Sequence, residues 1–227
     1  ADPAHRGSWI AQREALLTRA GVPTSVAATS LTDREDAEVV DERPPWRRGR
    51  AGTAIGRAVH AVLQSVDLAT GADLDVIARA QAFAEGVPDR AAEVRRLAAS
   101  VLDAPTVKRA AHAGWPSWRE LPVGALIDGV LLEGFVDLLV RTPDGLVVVD
   151  YKTDAAPDDE AIAAAAAHYT PQGAAYALAL EEVLHEPVVG CVFVFARSPA
   201  AVERPVTDLA SEVQSVRTRL RQPRDAA

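Results

Sequence analysis

The sequence is poor in sulfur: it contains one cysteine and no methionine. A lone cysteine, Cys191, cannot form an internal disulfide, and it cannot supply the thiolates of a Cys-ligated iron–sulfur cluster. Cys191 lies in the apolar run 188–196, so we expect a core residue. We therefore predict no iron–sulfur cluster. Because the chain lacks methionine, we expect that it has lost its initiator or is part of a longer polypeptide.

Long apolar segments are also missing. No stretch is apolar enough to span a membrane, and the N-terminus lacks the charged, apolar and cleavage regions of a signal peptide. We therefore expect a cytoplasmic protein without a membrane partner. The phosphate-binding Walker A signature is absent, which excludes a helicase motor within this chain.

Basic residues are fewer than acidic ones, 24 against 32, giving a net charge of −8. This balance argues against a stand-alone nucleic-acid binder, which is usually basic on one face. Five arginines nevertheless cluster near residue 50, and this cluster can either hold phosphates or form a solvated linker. Its members are Arg43, Arg47, Arg48, Arg50 and Arg57.

Lysine is the scarcest charged residue, present only at positions 108 and 152. The apolar run 145–149 leads into Asp150-Tyr151-Lys152 and predicts a buried strand. Strand side chains alternate, so Asp150 and Lys152 project from the same face. Charges in such a place are tolerated when paired or bound to metal, which indicates either an active site or a structural ion pair.

A second apolar run, 129–140, precedes this strand, and Thr142-Pro143-Asp144-Gly145 joins the two with turn residues. If only Pro143 and Asp144 form the loop, Asp137 lies opposite Asp150, and two carboxylates that close favour a cation between them. A bulge at the glycine would instead shift the pairing by one residue and separate the aspartates.

Hydrophobic periodicity predicts an N-terminal set of helices followed by a mixed sheet. The helix over 53–68 carries His60 beside its apolar stripe, and Gly52 and Gly56 in line on that helix predict the close approach of another element. Further helices are expected at 8–19, 74–85, 89–102, 159–168, 172–184 and 209–220. Strands are expected at 117–123, 128–141, 145–152 and 188–196.

Five segments together resemble the PD-(D/E)XK nucleases, specifically the RecB-like branch found at the C-terminal end of RecB-, AddA- and UvrD-like helicase-nucleases. The strand segment 134–137 and the segment 149–153, which the hairpin joins, resemble the nuclease core. Three more segments resemble the branch's upstream histidine helix, its first core strand and its glutamine-tyrosine helix. They are 56–60, 119–122 and 172–176.

The resemblance implies an α/β fold with a restriction-endonuclease-like mixed sheet, flanked by helices and preceded by a helical part. Residues 1–50 would form an N-terminal helix and connector, and 51–227 the RecB-like nuclease domain. Within that domain, 51–114 would be the helical part, and 115–227 the sheet core with a C-terminal helix.

The resemblance also implies a metal site and a catalytic lysine. Asp137 and Asp150 would bind the metal with His60 and the backbone of Tyr151, and Lys152 would act beside them. Supporting or DNA-binding roles would fall to Gln172, Tyr176, Glu120 and Arg57. Each has a structural alternative: His60 can be a packing histidine, Glu120 an exposed strand residue, and Gln172 and Tyr176 a local contact on one helix face.

Oxygen ligands suit Mg²⁺, and a histidine nitrogen makes Mn²⁺ acceptable. The implied activity is metal-dependent phosphodiester hydrolysis, as an exonuclease on single-stranded DNA that a helicase motor delivers during double-strand break repair or recombination. That motor would lie in the same polypeptide or complex. Two alternatives remain: a non-catalytic DNA-clamping or scaffolding domain, and an unrelated α/β domain with a structural ion pair.

Overall fold

The computed structural model describes residues 24–32, 53–154 and 158–221. The helix predicted for 8–19 and the arginines at positions 43, 47, 48 and 50 lie outside these ranges. Within them the chain forms a mixed sheet with helices on both faces, which confirms the predicted fold class. No helix in the described ranges has the length and apolar character needed to cross a membrane.

In the described ranges the sheet contains six strands, connected in the order β1-β3-β4-β5-β6. Strands β1 and β4 pair with different parts of one edge of β3, and β2 pairs with the opposite edge. The β1–β3 and β4–β5 pairs are parallel, and the others are antiparallel. The strands are β1 Thr24–Ala27, β2 Ser117–Ile127, β3 Val130–Thr142, β4 Gly145–Lys152, β5 Val188–Phe195 and β6 Val202–Pro205.

Two tight turns set the register of the central strands. Asp128 and Gly129 join β2 to β3 with positive φ angles of 48° and 85°, the combination that a two-residue hairpin turn favours. The β3–β4 hairpin pairs Thr142 with Gly145 and continues to Leu138 opposite Val149. The two-residue loop is therefore confirmed, and the predicted register is confirmed as far as Leu138 and Val149, without a shift at the glycine.

Among the described residues, six α-helices cover the sheet. On one face, α1 to α4 share a buried cluster with the sheet residues Leu138, Val140, Val149 and Tyr151. On the other face, α5 and α6 pack against the alternate residues of the same strands. The helices are α1 Ala54–Ser65, α2 Leu74–Ala84, α3 Ala91–Leu102, α4 Pro105–His112, α5 Asp159–Leu184 and α6 Leu209–Arg221.

The prediction of two helices on either side of Pro171 is wrong, because α5 runs through that residue. Proline removes one helical hydrogen bond and crowds the preceding turn, at a cost of about 3 kcal/mol. The Thr170 hydroxyl donates to the carbonyl of Ala166 just before it. The run 172–180 that follows is buried, so packing against the sheet outweighs the cost of the proline.

Among the described strands and α-helices, three escaped the sequence prediction: β1, β6 and α4. The start of α4 is held by a distant residue, since Glu203 of β6 accepts hydrogen bonds from the backbone N–H and the hydroxyl of Thr106, at 2.7 and 3.0 Å. The usual local N-cap signal is absent at Ala104. Only the proline at the start of the helix marks this position in the sequence.

Candidate active site

The site lies at a gap along one edge of β3. This edge pairs with β1 over Val130–Glu133 and with β4 over Leu138–Thr142, while β2 occupies the opposite edge. Between these partners, residues 134–137 have no strand partner along this edge in the described ranges. Tyr176 of α5 packs over Gly134 so closely that a Cβ at this position would lie 2.5 Å from its ring. Glycine at this position thus lets α5 approach the strand.

Asp137, buried at the end of this gap, connects β4 to helix α1. Its Oδ2 accepts a 2.6 Å hydrogen bond from the backbone N–H of Tyr151, and its Oδ1 lies 3.0 Å from Nδ1 of His60. Burial raises the pKa of this carboxyl. The charge and hydrogen bond of His60, with hydrogen bonds from Asp150 and the Tyr151 N–H, lower the pKa by more, so that it lies below its ordinary value. Asp137 is therefore the carboxylate of the site that keeps its charge.

His60 projects from α1 toward the sheet. Thr53 caps the start of this helix, and the Arg119 side chain donates to the Leu63 and Val66 carbonyls at its end. Burial lowers the pKa of His60, but the charge and hydrogen bond of Asp137, with the charges of two further acids, raise it above its ordinary value. The predicted histidine is thus oriented by a carboxylate. Its ring also packs edge-to-face with the Tyr151 ring, with the centroids 6.0 Å apart.

The close approach predicted for the glycines of α1 is confirmed at Gly56; Gly52 lies outside the described residues. A Cβ at Gly56 would lie 2.5 Å from the hydroxyl of Thr153, the residue that follows the strand-end lysine. The helix therefore packs directly against the end of β4. This contact brings His60, one turn further along, within reach of the aspartates.

Glu120 completes a group of three potential ligands. It lies opposite Asp137, because Arg119 pairs with Leu138 and Leu121 with Val136. Its φ is +50°, a left-handed conformation that costs a residue with a side chain roughly 1–2 kcal/mol. Strain of this kind at a cleft is a reason to look for function. One oxygen or nitrogen from each of His60, Glu120 and Asp137 lies within 4.8 Å of the others.

Asp150 and Lys152 form a buried ion pair at the end of β4, with Nζ 3.0 Å from Oδ2. This contact lacks hydrogen-bond geometry, and the buried Oδ2 has no hydrogen-bond partner among the described residues. Burial raises the pKa of Asp150 to about 7, since the nearby Asp137 charge offsets much of the attraction of Lys152. Of the two aspartates, Asp137 therefore holds its negative charge more readily than Asp150.

The predicted helix pair Gln172 and Tyr176 stands behind the lysine. Lys152 donates a 2.7 Å hydrogen bond to Gln172 Oε1, and Gln172 Nε2 donates to the Tyr176 hydroxyl at 2.9 Å. Both helix residues are buried, with 4% and 3% of their surface exposed. This arrangement places Gln172 in direct contact with the lysine and Tyr176 one hydrogen bond further away.

Two other predicted residues have partners that direct them elsewhere. Arg57 forms a 2.8 Å, partly buried ion pair with Glu85 at the C-terminal end of α2, so its guanidinium is engaged within the helical layer. The Tyr151 ring packs among the helices on that face, while its backbone N–H binds Asp137. Ligation through the Tyr151 carbonyl stays a prediction.

Sequence reasoning missed Tyr169. Its ring centroid lies 3.8 Å from the Lys152 ammonium, and its hydroxyl donates to Asp154 Oδ2 at 2.8 Å. A signal existed, because Tyr169 precedes Gln172 by three residues and shares its helix face. The expected break at Pro171 had separated the two.

The donors fit a hard divalent cation. Two carboxylates and one imidazole nitrogen converge, and the buried Oδ2 of Asp150 lacks the hydrogen-bond partner that a buried polar atom requires. A carboxylate pair of this kind is stable near neutral pH when a proton or a cation is shared between the acids. The chemistry of the site therefore suits a divalent cation that binds oxygen and imidazole donors.

Sequence comparison identifies the fold family. The sequence profile of the PD-(D/E)XK nuclease superfamily matches residues 37–226. The chain belongs to this superfamily. The match spans the histidine helix, the hairpin with both aspartates and the glutamine-tyrosine helix, so the segments that carry the resemblance in the sequence all fall within it.

Its relatives in the superfamily are much longer proteins. An ATP-dependent helicase/nuclease subunit of Desulforudis audaxviator is 34% identical over 210 residues, which cover 80% of this chain and 17% of that protein. The protein of the same name from Moorella thermoacetica is 27% identical over 221 residues, covering 82% and 15%. The chain thus spans about a sixth of the length of these relatives, and the resemblance to the RecB-like branch is confirmed.

Proposed function

We propose that this PD-(D/E)XK domain is a metal-dependent deoxyribonuclease that hydrolyses phosphodiester bonds as an exonuclease on single-stranded DNA. One observation carries the proposal: the His60, Glu120 and Asp137 group adjoins a buried Asp150–Lys152 pair at a gap in the sheet. A purely structural ion pair would need neither the histidine nor the strained Glu120 beside it.

His60, Asp137 and Asp150 would hold the cation, with the Tyr151 carbonyl and Glu120 as further ligands. When bound, Mg²⁺ or Mn²⁺ supplies Lewis acidity that activates water and neutralises charge on the phosphate. The imidazole nitrogen favours Mn²⁺ relative to a site made of oxygen alone.

The chain's own residues orient and stabilise. Asp137 holds the His60 ring through Nδ1 and is itself fixed by the Tyr151 N–H. Lys152 is anchored beside Asp150 by Gln172, so its ammonium is placed to stabilise negative charge that develops on a phosphate oxygen. Preorganisation of this kind is effective because the groups need not move when the charge appears.

We further propose that a helicase motor, in the same polypeptide or complex, delivers the strand during double-strand break repair or recombination. The relatives are named helicase/nuclease subunits, which supports such a partner. This chain matches only 17% and 15% of their length, so most of each relative lies outside the part that resembles this chain. Delivery by a motor would also explain a nuclease with a net charge of −8, which attracts DNA poorly by itself.

The test is cleavage of end-labelled single-stranded DNA with Mn²⁺, Mg²⁺ or EDTA. The parent is compared with Asp150→Ala and Lys152→Ala, and with the matched controls Asp144→Ala in the exposed turn and Lys108→Ala on α4. We expect metal-dependent cleavage by the parent and both controls, and a loss of about 100-fold or more in the two site variants. Double-stranded DNA and RNA substrates test the strand preference.

Equal cleavage by all five proteins would assign the activity to a contaminant and refute the proposal. Metal-independent DNA binding without cleavage by the parent would instead support the clamping domain. Labels at the 5′ and 3′ ends distinguish stepwise trimming from internal cuts, because trimming releases mononucleotides from one end first.

A further inference from the structure

The ammonium group of Lys152 is enclosed on three sides. Asp150 Oδ2 lies 3.0 Å away, Gln172 Oε1 accepts a hydrogen bond at 2.7 Å, and the Tyr169 ring centroid lies at 3.8 Å. A lysine has three N–H donors on a flexible four-carbon stem, so it needs several contacts to keep one position. Tyr169 supplies the contact that the proposed catalytic set leaves unassigned.

Tyr169 is itself held from two directions. Its hydroxyl donates to Asp154 Oδ2 at 2.8 Å, which connects α5 to the segment directly after β4. Its ring also packs against Phe193 of β5, with the centroids 6.0 Å apart. The ring is therefore fixed over the lysine by the strand end on one side and by the sheet on the other.

An aromatic ring suits this position chemically. Its face attracts an ammonium through the ring quadrupole, and the attraction is stronger when the pair is desolvated. Unlike a third carboxylate or amide, the ring adds neither a formal negative charge nor a strong acceptor. The Tyr169 ring can thus restrain the Lys152 ammonium without repelling a phosphate that approaches Asp150 and Lys152.

We propose that Tyr169 is a positioning residue for Lys152, fixing the ammonium beside Asp150 for phosphodiester hydrolysis. This inference rests on the proposed nuclease function. Tyr169 acts through its ring face, and the hydrogen bond to Asp154 sets the ring's orientation. The aromatic ring should therefore matter more than the hydroxyl.

The kinetic test compares Tyr169→Leu, which removes the ring, with Tyr169→Phe, which keeps it. Phe83→Leu on the exposed face of α2 controls for loss of an aromatic elsewhere. On single-stranded DNA with saturating Mn²⁺, we expect Tyr169→Leu to lower kcat about tenfold with little change in KM. Tyr169→Phe should keep kcat within about threefold of the parent, and Phe83→Leu should equal it.

A spectroscopic readout follows the contact without turnover. Lysine-selective ¹³C and ¹⁵N labelling reports only two side chains, Lys152 and the exposed Lys108. A group above a ring face is shielded, so the Lys152 Cε and Nζ signals should lie upfield of those of Lys108. Tyr169→Leu should move them toward the Lys108 positions, whereas Tyr169→Phe should leave them shifted.

Each result decides the matter. Unchanged kcat in Tyr169→Leu, with an active parent, would overturn the positioning role and leave the nuclease proposal intact. Equal losses in the Phe and Leu variants would overturn the role of the ring. A parent without any cleavage would overturn both proposals, and the lysine signals would then show whether the contact exists as a structural one.

Discussion

His60 Nδ1 lies 3.0 Å from Asp137 Oδ1 and so joins helix α1 to strand β3 across 77 positions of sequence. This contact turns two ordinary elements, an amphipathic helix and a hairpin, into one donor group. His60 is also the nitrogen donor of this group, beside the carboxylate oxygens of Glu120 and Asp137. A test of the site can therefore begin with the histidine.

Replacing His60 by alanine should weaken Mn²⁺ binding about 10- to 100-fold. Mg²⁺ binding should fall less, because Mg²⁺ prefers oxygen donors. Isothermal titration calorimetry with each cation measures both affinities, and His112→Ala, on the exposed end of α4, is the matched control. Equal Mn²⁺ affinity in the His60 variant and the parent would remove the histidine from the site.

Metal binding should release protons near neutral pH. The pKa of Asp150 is raised to about 7, chiefly by burial, and the pKa of His60 is raised by Asp137, so the metal-free site holds protons that a cation must displace. At a pH of about 6.5 we expect about one proton released per Mn²⁺, and close to none at a pH of about 9.

Calorimetry in two buffers of different ionisation enthalpy measures this number. The sign follows from the raised pKa values: both groups are protonated below them and bind metal only after losing the proton. A binding enthalpy at the lower pH that is the same in both buffers would contradict the shared charge of the two aspartates.

Gln172→Leu should lower kcat about tenfold or more, because the change removes the 2.7 Å acceptor of Lys152 and leaves the buried ammonium short of a partner. Tyr176→Phe removes only the next link, the hydroxyl that accepts from Gln172, and should cost about two- to threefold. Single-turnover cleavage measures both. A larger loss in the tyrosine variant would favour a direct role of Tyr176 on DNA.

Gly56→Ala should destabilise the protein despite alanine's better helix propensity, since its Cβ would lie 2.5 Å from the Thr153 hydroxyl. Overpacking of this kind costs about 1–3 kcal/mol, against about 1 kcal/mol gained in the helix. Thr153→Ala removes that hydroxyl, so Gly56→Ala should become stabilising in the Thr153→Ala background.

Thermal melts of the four proteins complete the cycle. Gly124→Ala, where the added Cβ meets nothing within 4 Å, controls for loss of a glycine. If Gly56→Ala raised the melting temperature in both backgrounds, the close contact between α1 and the end of β4 would be refuted.

Much of the site was predictable because it depends on local rules. The Pro143-Asp144 loop fixes the register of the hairpin as far as Leu138 opposite Val149, and Asp137 and Asp150 are the next residues along the two strands. Strand alternation puts Asp150 and Lys152 on one face, where the structure pairs them at 3.0 Å. Each of these relationships spans only a few bonds or one turn, so sequence spacing is sufficient to specify it.

Other features depend on contacts between distant segments. The gap in the β3 edge exists because β1 and β4 pair with separate parts of one strand, and the start of α4 is held by Glu203 of β6. Neither leaves a periodic signal in the local sequence. The missed β1 and α4 have the same cause.

The sequence by itself determined the hairpin register, the strand-end charges and the helix that carries His60, because turn chemistry and periodicity act between near neighbours. Only the tertiary structure decided that Glu120 adopts a left-handed conformation beside Asp137, and that α5 continues through Pro171 to set Tyr169 over Lys152. The physical reason is that packing energy gathered across the sheet exceeds the local preferences that those two positions express.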